Sequence, residues 1–198
     1  MRALIIAAGD KVRVSGDYDM VIAADGGYDN ALSLGICPDF LIGDMDSVKS
    51  VPCGIKTITL PVEKDLTDTE AAINLAIEKG AKEIDLVSAI GSRFDHSVFN
   101  MALLGKYIKR GVKVNIISEN AYITPVYKKC EFINSIGKTV SFFPFGVAKG
   151  VTLSGFYYSL SGAKVELGDT LTISNKITSD KATVTVDEGI LLAIFIKE

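Results

Sequence analysis

Residues 20–35 read MVIAADGGYDNALSLG and combine a predicted strand with a predicted helix. Its first five residues, Met20–Ala24, form the short apolar run expected of a buried strand. A turn at residues 25–27 then leads into a helix predicted over Tyr28–Leu34, which stops at Gly35, where a left-handed cap suits glycine. A strand that runs directly into a helix predicts an α/β protein if the pattern repeats.

The pattern repeats through about residue 118. Further helices are predicted over Asp68–Lys79 and Ser97–Arg110, and each again ends at a glycine, Gly80 or Gly111. The other candidate strands are Ala3–Ala8, Phe40–Ile42, Thr57–Leu60, Ile84–Ser88 and Val112–Ser118. This alternation predicts a mostly parallel sheet flanked by helices on both faces.

After about residue 120 the pattern changes to short alternating runs separated by Gly, Ser, Asn and Asp. The candidate strands there are Thr139–Phe143, Lys164–Leu167, Thr170–Ser174, Ala182–Val186 and Leu191–Ile196. We therefore predict an α/β domain over residues 1–122 and a smaller all-β sandwich domain over residues 123–198.

Composition narrows the classes of function. The chain has 198 residues, 48% of them hydrophobic, and its 21 basic and 24 acidic residues leave a formal charge of -3. No run of Lys or Arg would follow a nucleic-acid backbone, which argues against that partner. Three widely spaced cysteines fit a reducing cytoplasm, and no apolar run approaches the roughly 20 residues that span a bilayer.

Acidic motifs follow several of the predicted strands. Because ligands of an open α/β sheet bind beyond the carboxyl ends of its strands, we expect these motifs to meet in one site. Asp44 and Asp46 are two residues apart, so in an extended segment both carboxylates point to one side and can bind one cation. Mg²⁺ prefers such oxygen ligands, although a simple turn explains Gly-Asp and Asp-Ser equally well.

The segment from Lys64 to Glu70 leads from a strand into a helix. Thr67 and Glu70 have the spacing of a capping box, which explains both of them. Asp68 lies in the first helical turn, where a metal held by its carboxylate could also hold a phosphate. Lys64 could neutralise a phosphate oxygen, or it could be a solvated surface lysine.

The segment Gly91-Ser92-Arg93-Phe94-Asp95-His96 connects another strand to a helix. The planar guanidinium of Arg93 suits bidentate binding of phosphate oxygens. Asp95 is either a site residue or an ordinary helix N-cap. For His96, the only histidine, we expect a structural role in which the ring bonds to a neighbouring loop.

Asp25-Gly26-Gly27 opens a helix, and its glycines could let a nucleotide approach the backbone closely. A plain strand-to-helix turn explains the same residues. The chain contains neither Gly-x-Gly-x-x-Gly nor a Walker loop, which argues against a P-loop kinase or a Rossmann dehydrogenase.

Electrostatics limits how the acidic motifs can work together. Two like charges about 4 Å apart repel by roughly 4 kcal/mol at an effective dielectric of 20, so unaided carboxylates would not face a triphosphate. If the acidic residues converge, either the site binds metal or some of them are protonated.

Together, these motifs resemble those of the thiamin pyrophosphokinase family, in matching order and spacing over nearly the whole chain. They are Asp25-Gly26-Gly27, Pro38 to Ser47, Lys64 to Asp68, Arg93 to His96 and Ser154 to Leu160. The resemblance implies an α/β nucleotide-binding catalytic domain and a β-sandwich domain for thiamine binding and dimerisation. It also implies a homodimer that uses Mg²⁺ to transfer pyrophosphate from ATP to the hydroxyl of thiamine, giving thiamine diphosphate and AMP.

The resemblance also implies roles for individual residues. Asp44, Asp46 and Asp68 would bind Mg²⁺ and, with Asp95, form the catalytic set, in which the proton acceptor is not identified. The ATP and phosphate contacts would be Asp25, Lys64, Thr67 and Arg93. Tyr158 would stack on thiamine near Ser174 and Asn175, although ordinary packing within the sandwich also explains Tyr157 and Tyr158.

Two other functions remain open from the sequence. One is a pyrophosphokinase that acts on another hydroxymethyl heterocycle, such as a pterin. The other is a non-catalytic regulator that binds nucleotide or thiamine.

Overall fold

A computed structural model describes residues 1–45 and 54–197. The chain forms two compact units, residues 1–119 and residues 120–198. Asp46, one of the predicted metal ligands, lies outside the described residues. Within the described part, no helix is long and apolar enough to cross a membrane.

The first unit alternates strands and helices, which confirms the α/β character predicted from the sequence. Its neighbouring strands run parallel in the order β4-β3-β2-β1-β5-β6. The strands are β1 (Arg2–Ile6), β2 (Met20–Ala24), β3 (Phe40–Gly43), β4 (Lys56–Thr59), β5 (Glu83–Val87) and β6 (Lys113–Ile117). The central strands are almost wholly buried, as expected of a parallel sheet covered on both faces.

Among the described residues, three helices connect these strands: α1 (Gly27–Ser33), α2 (Asp68–Glu78) and α3 (Phe94–Ile108). The predicted glycine caps are confirmed, because Gly35, Gly80 and Gly111 all have positive φ.

The predicted start of α3 at Ser97 is wrong by three residues. Ser97 N donates to Arg93 O at 3.1 Å, so the first helical turn already begins after Arg93. Asp95 therefore lies in the first turn and is not the N-cap. A carboxylate is favoured there by the positive end of the helix dipole.

Over its described residues, 120–197, the second unit is all β, with eight strands in two antiparallel sets. One set has the order β12-β9-β14-β7 and the other the order β11-β10-β13-β8. The strands are β7 (Ala121–Val126), β8 (Lys129–Ile133), β9 (Thr139–Pro144), β10 (Val147–Ser154), β11 (Leu160–Glu166), β12 (Asn175–Lys176), β13 (Lys181–Thr185) and β14 (Leu191–Ile196). Buried side chains from both sets pack into one core, where Phe132 makes edge-to-face contacts with Phe156 and Phe195.

The strand predicted over Thr170–Ser174 is wrong, since residues 171–174 form a turn. Thr172 is buried, whereas Leu171 and Ile173 are 59% and 62% exposed, so the alternation has its polar residue inside. Thr172 satisfies that burial through Phe142: its hydroxyl donates to Phe142 O at 2.5 Å, and its carbonyl accepts from Phe142 N at 3.0 Å. One side-chain and one backbone hydrogen bond to Phe142 thus take the place of a regular strand ladder.

Candidate active site

A cleft of about 380 Å³ lies beyond the carboxyl ends of β1, β2, β4 and β5 in the first unit. The chain order reverses there, because β2, β3 and β4 extend the sheet on one side of β1 while β5 and β6 extend it on the other. Open α/β sheets bind their ligands at such a switch point. Five of the predicted site residues line this cleft: Asp25, Lys64, Thr67, Asp68 and Arg93.

The connections after β1 and β5 form one wall of the cleft. Gly9 N donates to Ser88 O at 2.7 Å, and Asp10 N donates to Ile90 O at 2.8 Å. A Cβ atom on Gly9 would lie only 2.5 Å from Ile90 O, so the two connections approach closely because residue 9 is glycine. Ser88 has a φ of 53°, a left-handed conformation that turns the chain at the end of β5.

Two buried asparagines stabilise this wall through hydrogen bonds, and neither was predicted from the sequence. Asn30 Nδ2 on α1 donates to Ala7 O at 3.0 Å and to Gly9 O at 2.9 Å. Asn100 Nδ2 on α3 donates to Ala89 O at 2.8 Å. Both helices thereby satisfy carbonyl groups that the turns leave outside the sheet ladder. The available signal was an asparagine in helical register with an apolar residue, Asn30 with Leu34 and Asn100 with Leu104.

Asp25 brings the end of β2 against the end of β3. Its backbone N donates to Ile42 O at 2.8 Å, and a Cβ atom on Gly43 would lie 2.9 Å from Asp25 Cβ. Asp44 follows Gly43 directly, so its backbone begins next to Asp25. Asp44 itself is half-buried and does not line the cleft.

The close packing of α1 on β1 explains why residue 27 is glycine, which could not be foreseen from the sequence. A Cβ atom there would lie 2.0 Å from Ile6 O, so the start of α1 packs directly on the end of β1. This contact by itself requires a glycine at position 27.

Lys64 and Asp68 form an ion pair at the entrance to α2. Lys64 Nζ lies 3.1 Å from Asp68 Oδ1, and the two side chains are 13% and 25% exposed. Lys64 therefore already neutralises one carboxylate of the cleft and is not a solvated surface lysine.

Thr67 is the N-cap of α2, as predicted, since its hydroxyl accepts a hydrogen bond from Glu70 N at 3.2 Å. The carboxylate of Glu70 pairs instead with Lys106 on α3. Glu70 thus links two helices in addition to its place in the cap.

Arg93 and Asp95 form a bidentate pair at the start of α3. Arg93 Nε donates to Asp95 Oδ1 at 3.0 Å, and Nη2 donates to Oδ2 at 2.8 Å. These hydrogen bonds lower the pKa of Asp95 well below its usual range. Both side chains are mostly exposed, at 71% and 58%, so the guanidinium can exchange this partner for another anion at little cost.

Asp95 does not line the cleft, whereas His96 does and is exposed. The described lining contains two carboxylates, Asp25 and Asp68, and two permanent cations, Lys64 and Arg93. Its formal charge is therefore balanced. Among residues 1–45 and 54–197, no three His, Cys, Asp or Glu side chains form a group that could hold a metal ion.

The second unit contains the three residues predicted to bind thiamine, Tyr158, Ser174 and Asn175. Tyr158 N donates to Asn175 Oδ1 at 3.0 Å, and Asn175 Nδ2 donates to Tyr158 O at 2.8 Å. The adjacent Ser174 N donates to Ser141 Oγ at 2.9 Å. Tyr157 and Tyr158 are 70% and 59% exposed, so packing inside the sandwich does not explain them.

Comparison with known proteins finds a family model in each unit. Residues 13–116 match "Thiamin pyrophosphokinase, catalytic domain", and residues 127–191 match "Thiamin pyrophosphokinase, vitamin B1 binding domain". The thiamine pyrophosphokinase of Bacillus subtilis is 29% identical, with 98% of each chain covered.

Solved structures agree with these matches. The crystal structure of the B. subtilis enzyme covers 100% of both chains at 28% identity, with a TM-score of 0.88. That of the thiamin pyrophosphokinase from Geobacillus thermodenitrificans, also 28% identical, covers 100% of this chain and 98% of that one, with a TM-score of 0.85.

Proposed function

Because this chain belongs to the thiamin pyrophosphokinase family, we propose that it transfers pyrophosphate from ATP to the hydroxyl of thiamine, giving thiamine diphosphate and AMP. The observation that carries the proposal is the cleft at the switch point of the first unit, lined by Lys64, Asp68 and Arg93. The cleft thus offers two cationic groups for phosphate oxygens and carboxylates for a metal ion that accompanies them.

The α/β unit, with its mostly parallel sheet, is the nucleotide-binding catalytic domain, and the β-sandwich unit binds thiamine and forms the dimer. The strand order and the position of the cleft support the first assignment. The exposed side chain of Tyr158, whose backbone is hydrogen-bonded to the side chain of Asn175, supports the second.

Arg93 and Lys64 bind the phosphates of ATP in this proposal. Arg93 exchanges Asp95 for phosphate oxygens, because both groups are exposed and the guanidinium fork fits either partner. Lys64 stays close to Asp68 and contributes a positive charge beside the N-terminus of α2, where Thr67 caps the helix and unpaired backbone N–H groups also favour anions. Asp25 binds the nucleotide from the end of β2.

Asp44, Asp46 and Asp68 would hold Mg²⁺. Carboxylate oxygens are the ligands that this ion prefers, and the described cleft balances its own charges without any surplus to offset a polyphosphate. When bound, the ion would neutralise phosphate oxygens and the charge that develops on them during transfer. The chain's own residues orient the reactants. The thiamine hydroxyl attacks the β-phosphorus in line, the bond from that phosphorus to the α-phosphate oxygen breaks, and AMP leaves. One aspartate of the catalytic set, which includes Asp95, accepts the hydroxyl proton.

The enzyme is a cytoplasmic homodimer in this proposal. Cys37 and Cys130 carry free thiols, which fits a reducing compartment. Exposed apolar side chains on the second unit, including Leu171 and Ile173, are suited to a subunit interface. Sedimentation velocity would detect the dimer.

An AMP-release assay with purified protein, ATP and Mg²⁺ tests the reaction. We expect turnover with thiamine and none with a pterin alcohol, whereas the reverse result would favour the other heterocycle. A protein that binds thiamine but forms no thiamine diphosphate, even in a single turnover, would be a non-catalytic regulator.

Asp44→Asn tests the metal assignment. We expect at least a 10²-fold loss of turnover with an intact fold, since the change replaces a proposed carboxylate ligand of the metal with a neutral amide. Asp17→Asn, at an exposed position outside the cleft, is the matched control and should keep full activity. Full activity of Asp44→Asn in saturating Mg²⁺ would refute the assignment.

A further inference from the structure

Two adjacent tyrosines on the second unit form an open aromatic corner. The ring centroids of Tyr157 and Tyr158 lie 4.9 Å apart and their planes meet at 90°. Both side chains are exposed, at 70% and 59%. Within the described residues, the two rings thus leave a large apolar area exposed at the surface.

The backbone beneath this corner is firmly held. Phe156 is buried in the sandwich core and pairs with Ile177 in an antiparallel bridge. Tyr157 N donates to Lys176 O at 2.8 Å, while Tyr158 exchanges two hydrogen bonds with the side chain of buried Asn175. The backbone of both tyrosines is therefore fixed, so only side-chain freedom is lost when a ligand binds between the rings.

The edge-to-face arrangement determines what the corner can bind. In such a pair, the inner angle presents the π face of both rings, whichever ring supplies the edge. A flat ring that stacks on one face turns its own edge toward the second face. The negative potential of both faces then favours a ligand that is planar and positively charged.

We infer that Tyr157 is a second specificity-determining residue for thiamine, forming with Tyr158 a two-walled site for the cationic thiazolium ring. This inference rests on the proposed function. Residues 127–191, which include both tyrosines, match the vitamin B1 binding domain model, and thiazolium is a planar aromatic cation. A neutral pterin could stack on the tyrosines but would lack the cation–π attraction that the thiazolium ring gains. The corner therefore also discriminates between the two candidate substrates.

Substitutions at Tyr157 test the inference through the charge of the ligand. Binding of thiamine and of its uncharged thiophene analogue is measured by calorimetry, and KM and kcat are measured for thiamine. Tyr157→Leu should weaken thiamine binding and raise KM about fivefold, corresponding to about 1 kcal/mol of cation–π attraction, with little change in kcat. The thiophene analogue should lose much less, and Tyr157→Phe should bind thiamine like the wild type.

Tyr127→Leu is the matched control, since Tyr127 is another exposed tyrosine of the same unit and has no assigned role in the site. It should leave both ligands unaffected. Equal losses for thiamine and the thiophene analogue with Tyr157→Leu would overturn the charge-selective corner. Unchanged thiamine binding together with a weakened dimer in sedimentation would overturn it in favour of a subunit contact. If wild-type protein neither binds nor converts thiamine, the proposed function fails as well; normal wild-type activity with an unaffected Tyr157→Leu defeats the inference alone.

Discussion

Replacing Asp68 with asparagine removes one carboxylate from the cleft while preserving the size of the side chain. In the native protein this carboxylate lies 3.1 Å from Lys64 Nζ, and both side chains are partly exposed. Losing a pair of this kind costs about 1 kcal/mol in folding free energy, which corresponds to a drop of about 2–4 °C in Tm for a chain of this size. The structural cost of the change is therefore small.

The expected loss of activity is much larger. Asp68 is a proposed metal ligand beside the phosphate site, and one preorganised electrostatic contact to a transition state is worth about 10²–10³ in kcat. We expect Asp68→Asn to lose at least about 100-fold, equivalent to about 2.7 kcal/mol. The assay measures AMP release at saturating thiamine, ATP and Mg²⁺, with thermal unfolding followed in parallel.

Glu188→Gln is the matched control, because it breaks the exposed ion pair with Lys149 on the second unit. Its turnover should equal that of the wild type. A kcat for Asp68→Asn within about threefold of the wild-type value would show that Asp68 is not a metal ligand at the phosphate site. It would then contribute no more than an ordinary surface charge.

Other substitutions and one titration test the remaining assignments. Arg93→Ala should lower kcat/KM for ATP about 10–100-fold without loss of secondary structure by circular dichroism, because it removes charge-assisted hydrogen bonds from an exposed side chain; an unchanged value would assign Arg93 only to Asp95. Tyr158→Ala should raise the thiamine KM by the equivalent of about 1–2 kcal/mol, and an unchanged KM would remove Tyr158 from the site. Burial raises the pKa of Tyr18 and of Tyr107 to about 12, so absorbance at alkaline pH should show tyrosines that ionise last. Because the ordinary tyrosine pKa is about 10, the stability that these two groups provide is complete below pH 10 and is lost as the pH rises through about 12. Complete ionisation of all tyrosines near pH 10 in folded protein would contradict that expectation.

Local patterns predicted most of the first unit. The strand Met20–Ala24 has the predicted bounds, and the helices end before Gly35, Gly80 and Gly111 because only glycine adopts the required φ at little cost. The strand ends then had to meet at one edge of the sheet, so the cleft residues from separate connections could be foreseen without coordinates. The family resemblance predicted from the motifs is confirmed.

The remaining features depend on contacts between residues that are distant in sequence. The sequence around Thr172 alternates like a strand, but only the fold reveals that its polar residue faces inward and bonds to Phe142. Asn30 and Asn100 gain their meaning from carbonyl groups that other connections leave unpaired. Likewise, the sequence was compatible with Asp95 as either a site residue or an N-cap. The helix start at Phe94 excludes the N-cap, and neither that start nor the pairing with Arg93 could be foreseen without the three-dimensional geometry.

The proposed pyrophosphate transfer requires that the acidic side chains converge around a divalent ion. A crystal structure of the protein with thiamine, Mg²⁺ and a non-hydrolysable ATP analogue tests it directly. We predict phosphates between Lys64 and Arg93, and Mg²⁺ ligated by Asp44, Asp46 and Asp68. A triphosphate bound away from the cleft, or a metal ion that touches none of these three aspartates, would contradict the account.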